Sequence, residues 1–143
     1  MSNLNFERLQ SKPKLVREEI LWNNQPMSHG HGTSDKVYII NVLQTQVLRR
    51  STDNLQNVVN QVTLSLLVYW GPRNRTYLKN HTRMTTTFEE GDNYKESLFM
   101  SNVDKLARKK MNKGYVTAPT GLEIPGYLRE EAALNNSISA VSL

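Results

Sequence analysis

Two stretches of the chain carry apolar residues over strand-like lengths. Lys36 to Val47, KVYIINVLQTQV, and Val62 to Trp70, VTLSLLVYW, are rich in β-branched and aromatic residues and are bounded by turn formers, as half-buried or buried strands are. Gly71-Pro72 closes the second, because proline has no N–H to offer a continuing ladder. With no crossover helix between them, the two are expected to pair antiparallel. Met84 to Phe88, MTTTF, reads as a weaker, threonine-rich third strand.

The period then changes. From Tyr94, the residues Phe99, Val103, Leu106, Ala107 and Met111 recur at helical spacing and line one face, which predicts a helix packed on the sheet. Asn93 followed by Glu96 has capping-box spacing at its start. Gly114 stands where a C′ glycine would end it, with Lys109, Lys110 and Lys113 placed to favour the negative end of its dipole. Nearer the N-terminus, Leu15, Val16, Ile20, Leu21 and Trp22 among charges predict a short amphipathic helix over Lys14 to Trp22, after Pro13. Asn23 to Ser34, NNQPMSHGHGTS, reads as a loop. Beyond Tyr115, two prolines, a short helix over Tyr127 to Leu134 and a polar tail are expected.

These elements together make the fold class α+β: a small antiparallel sheet with one long helix on one face. The expected division is an N-terminal arm over 1–34, a domain over 35–116 and a C-terminal extension over 117–143. A length of 143 residues with 38% apolar content suits one modest core. No run of about 18 apolar residues offers a membrane span, and the start MSNLNFERLQSKPK lacks a signal pattern, so the expected setting is the cytoplasm, a nucleoid or a virion.

Charge sharpens this picture. The net charge is +5, and its distribution is uneven: Asp35 to Tyr115 holds 13 basic and 7 acidic residues, which leaves 5 and 6 for both ends together. The positive field therefore belongs to the middle of the chain and favours polyanionic partners. Zero cysteines exclude disulfides, thiolate nucleophiles and cysteine-based metal sites. His29 and His31 supply two imidazoles where a metal site needs three or four converging ligands, so no metal and no cofactor are expected. The carboxylate pairs Glu18-Glu19, Glu89-Glu90 and Glu130-Glu131 are sequence neighbours whose side chains diverge, and no nucleophile elbow or phosphate-binding glycine loop frames the Ser, His and Asp residues. A non-enzymatic protein is expected, with no catalytic residues.

The segment Tyr69-Trp70-Gly71-Pro72-Arg73-Asn74-Arg75-Thr76-Tyr77-Leu78-Lys79 is of another kind. An aromatic pair at a strand end can present a stacking surface to bases or ribose, and arginines beyond it can reach phosphates as rigid forks. The plainer alternative is that Tyr69 and Trp70 are core or rim aromatics and the arginines solvate an edge.

From Tyr38 to Tyr115 the order of elements resembles the WGR domain, the module named for its Trp-Gly-Arg signature and found in poly(ADP-ribose) polymerases and bacterial proteins. The resemblance lies in the strand Val37 to Leu43, the strand ending Tyr69-Trp70-Gly71, and the helix closing on Lys109-Lys110-Met111-Asn112-Lys113-Gly114-Tyr115. Pro72 stands at the signature arginine, with Arg73 displaced by one. The resemblance implies a domain that binds DNA, with Trp70 packed on the sugar-phosphate and Gly71 and Arg73 beside it. Together with the local chemistry it makes Trp70, Gly71, Arg73, Arg75, Lys79 and Arg83 the expected nucleic-acid-binding residues. Two rivals stand beside it: a structural subunit of a virion or larger complex, whose long polar arm and tail wrap neighbouring chains and hold a protein partner, and an adaptor or inhibitor that uses the WGR-like fold to bind protein.

Overall fold

The computed structural model describes residues 6–25, 34–51 and 58–127. In chain order its elements are β1 (Phe6–Gln10), β2 (Lys14–Asn23), β3 (Lys36–Ser51), β4 (Val58–Pro72), β5 (Lys79–Glu89), the helix α1 (Asn93–Met111) and the short β6 (Val116–Thr117). All strand pairings are antiparallel, in the order β5-β4-β3-β2-β6, and β1 continues the β2 edge by pairing with the far end of β3. This is the α+β arrangement expected from the apolar pattern, with the strands over Lys36 to Val47 and Val62 to Trp70 as its central antiparallel pair.

The expected helix over Lys14 to Trp22 is instead strand β2, and of the arm expected over 1–34 the strands β1 and β2 pair into the sheet. Its apolar spacing suits either period, and the decision comes from β3. Val37, Ile39 and Ile40 are fully buried, so the edge of β3 needs a hydrogen-bonding partner along this length. β2 supplies it, placing Leu21 and Arg17 on one face and Ile20, Trp22 and Glu18 on the other. Pro13 separates β1 from β2 without breaking the edge. Ser11 N donates to Gln46 O (2.9 Å), and Gln46 N donates to Ser11 Oγ (2.8 Å), so a side chain stands in for the ladder there.

On one face of the sheet Tyr38, Ile40 and Val42 of β3, Val62, Leu64, Leu66 and Val68 of β4, and Phe88 of β5 form the main core under α1. Four of the five expected helix residues, Phe99, Val103, Leu106 and Ala107, are buried in it. Met111 is 40% exposed. The cap is Asp92, one residue before the expected Asn93: its carboxylate accepts from Lys95 N (3.2 Å). At the other end Gly114 N donates to Met111 O (3.0 Å) and Tyr115 N to Lys110 O (3.2 Å), the two bonds of a Schellman motif. Gly114 has φ +103°, the left-handed conformation expected at C′.

On the opposite face Val37, Ile39 and Leu78 form a smaller core with Ile20, Trp22, Tyr69, Ile124 and Tyr127 around it. Residues 118–127 lie over this end as a strap. Ala118 N donates to Ile20 O (2.9 Å), the Asn41 amide donates to the Tyr127 hydroxyl (3.1 Å), and that hydroxyl donates to Glu18. Gly126 permits the closest approach: a Cβ there would stand 2.9 Å from Arg75 O and from Tyr77 Cα. The metal candidates His29 and His31 and most of the C-terminal helix expected over Tyr127 to Leu134 lie outside the described residues.

Candidate nucleic-acid interface

Tyr69 and Trp70 do not form one stacking surface. Successive strand residues point to opposite faces. Tyr69 packs in the smaller core, edge-on to Tyr127 with ring centroids 5.3 Å apart, while Trp70 lies on the helix side beside Tyr38. Trp70 is only partly buried, and its ring stands edge-on to His81 at 5.1 Å and 81°. Lys79 is its partner across the β4–β5 ladder.

Gly71 faces Val37 across the ladder and lies against Leu78, on the side of the strap. Arg73 is held on the same side. Its Nε and Nη2 each donate to Asp35 at 2.9 Å, and Nη1 donates to Glu123 O at 3.0 Å. The Trp22 indole adds a bond to Asp35 Oδ1 at 2.8 Å. This guanidinium fastens strap, hairpin and β3 together, leaving no fork directed at a ligand. Arg75 is exposed in the turn after β4.

The Asp35 carboxyl is accordingly held below the ordinary range, first by the Arg73 hydrogen bond and then by that of Trp22. A depressed folded pKa contributes stability that is fully present above the unfolded value, about 3.9, and is lost as pH falls through the folded one. Acid titration of the unfolding midpoint should therefore show wild type and Asp35→Asn well separated at neutral pH and converging below about pH 4. Equal separation at all pH values would mean that the pair contributes nothing through its charge.

Arg83 sits at a bulge. Leu66 pairs with Met84 and Leu67 with Thr82, so Arg83 is the extra residue of β5. It comes close enough to favour ionisation of the Tyr38 hydroxyl, although burial outweighs this and pushes that phenol up. The last turn of α1 and the residues just beyond it stand around the same point. Lys110 Nζ lies 4.3 Å from the centre of the Tyr38 ring, and Tyr115 meets that ring edge-on at 6.3 Å. Burial first, and then the charges of Lys113, Arg83, Lys109 and Lys36, lower the pKa of Lys110. No carboxylate of the described residues figures among those influences.

Of the residues expected from the sequence, the fold thus brings Trp70, Lys79 and Arg83 to the helix side of the sheet. Gly71 and Arg73 lie on the strap side. The group it assembles also includes Lys36, Tyr38, Lys109, Lys110 and Lys113, none of which the sequence marked as ligand-facing. The lysines after Arg108 were legible as a basic helix end, but not their convergence on Tyr38, which needs the helix to cross the sheet and end above β3.

Among the described residues no three His, Asp or Glu side chains stand close enough to hold a metal ion, and no helix is long and apolar enough to cross a membrane. No family model, no curated protein and no solved structure matches the chain.

Proposed function

We propose that this is a non-enzymatic nucleic-acid-binding protein that takes the phosphate backbone on the cationic end of its helix face. What carries the reading is that Lys110 stands over the Tyr38 ring within the influence of Lys36, Arg83, Lys109 and Lys113, with no carboxylate of the described residues acting on it. Like charges held together cost the free protein stability, and a polyanion relieves that repulsion. Trp70, with Lys79 opposite it, adds a partly open aromatic edge against which a base or sugar can pack. Nothing in this group reads base edges in an ordered row, so binding is to backbone and shape rather than to a sequence. The resemblance to the WGR module makes DNA the first ligand to test.

The test is binding to blunt duplex, single-stranded and circular DNA across a range of salt. If about four phosphates are neutralised, log affinity should fall against log salt with a slope near −3.6 on duplex, at about −0.9 per phosphate. Trp70→Ala should weaken binding by roughly 1 to 3 kcal/mol with the slope almost unchanged, since stacking releases no counterions. Absence of salt-dependent retention on any nucleic acid, together with a large stable assembly in sizing runs, would replace this reading with that of a structural subunit.

A further inference from the structure

The Tyr38 hydroxyl is the one buried side-chain polar atom among the described residues that has no hydrogen-bond partner. Tyr38 is 5% exposed, and Arg83 influences its hydroxyl without making a hydrogen bond of normal geometry. A buried hydroxyl left unsatisfied destabilises the fold, whereas a phenylalanine of the same shape would carry no such cost. At the same place Lys110 lies over the ring, Arg83 acts on the hydroxyl, and the charges of Lys36, Lys109 and Lys113 act on Lys110. An orphan donor and a knot of cations, both unfavourable in the free protein, therefore share one location. A single anion would satisfy both.

We infer that the Tyr38 hydroxyl, Lys110 and Arg83 form a seat for a compact phosphate group bearing more than one negative charge, a phosphomonoester or an oligophosphate. The inference rests on the proposed function only for the nature of the larger ligand. A phosphodiester brings one charge to each position along a strand, whereas a phosphomonoester brings between about 1.5 and 2 to one point at neutral pH. Two cations brought to one tyrosine, Lys110 over its ring and Arg83 acting on its hydroxyl, match the second more closely than the first. The hydroxyl would donate to a phosphate oxygen, and the two side chains would supply charge-assisted bonds to the others.

The experiment uses the full chain and its Tyr38→Phe variant, with inorganic tripolyphosphate as the probe in calorimetric titration. Two oligonucleotides that differ only in a 5′-phosphate form a second arm. Wild type should bind tripolyphosphate, and Tyr38→Phe should bind it about tenfold more weakly, the loss expected for one hydrogen bond to a charged group. Without ligand the variant should melt at or above the wild-type temperature, which a hydroxyl needed for folding would not allow. A preference of wild type for the phosphorylated oligonucleotide, lost in the variant, places the phosphate at a strand end. Equal affinity for the two oligonucleotides, with tripolyphosphate still bound, places it in a free oligophosphate.

Equal binding of tripolyphosphate by wild type and variant, or a lower melting temperature for the ligand-free variant, overturns the seat. If wild type ignores tripolyphosphate yet binds circular DNA in a salt-dependent way, the seat fails and the proposed function stands. If it binds tripolyphosphate through Tyr38 but no nucleic acid, the reverse holds.

Discussion

Arg83→Ala combined with Lys110→Ala should lower affinity for duplex DNA on the order of 100-fold at low salt, taking about 1.5 kcal/mol for each charge-assisted contact. The same variant should flatten the salt dependence by about 1.8, two phosphates at about 0.9 each. Both residues come to the Tyr38 ring from different elements, Arg83 from a bulge in β5 and Lys110 from the last turn of α1. Their removal should leave the fold intact, because Lys110 is already disfavoured as a cation by burial and by four neighbouring positive charges. The control is Lys95→Ala with Lys105→Ala, which removes the same formal charge from exposed helix positions that do not act on Lys110. A general attraction of a basic protein to DNA would flatten the slope equally in both double variants. A localised interface predicts the large change only in the first.

Phe99→Ala should be the most damaging single substitution to stability, at about 3 to 5 kcal/mol. Phe99 is 2% exposed and, among the described residues, the largest of the fully buried side chains, set between α1 and the sheet. The sheet face beneath it is made of long strands whose ladders hold their spacing, so collapse into the space left by the ring should be limited. Chemical denaturation measures the loss directly. The neighbouring exposed position Leu98, replaced by alanine, should change stability by well under 1 kcal/mol, since it is 49% exposed. Comparable losses at the two positions would mean that α1 does not pack on the sheet through the Phe99 face.

The burial of Phe99 was legible in the chain itself. The helix announces itself through its own period: Phe99, Val103, Leu106 and Ala107 stand at intervals that only a helix brings to one side. Gly114 marks its end for an equally local reason, since the Schellman motif needs a left-handed residue there. The central strands are similarly self-contained, with β-branched runs closed by turn residues. β2 is different. Its pattern is compatible with either period, and the open edge of β3, which a local reading does not contain, makes it a strand.

The same distinction divides the candidate interface. Composition places the positive charge in the middle of the chain and sets Trp70 beside arginines. Tertiary structure alone decides which of those cations act together. Strand alternation sends Tyr69 and Trp70 to opposite faces, and Asp35 draws Arg73 into a bidentate pair on the strap side. A one-residue bulge brings Arg83 to Tyr38, and the length of α1 carries Lys110 over the same ring. Periodicity is a property of neighbours in sequence, so the chain by itself determined the helix, its C-terminal glycine and the central strand pair. Convergence of charge depends on register, bulges and crossing helices, contacts between residues dozens of positions apart, and only the assembled sheet decides it.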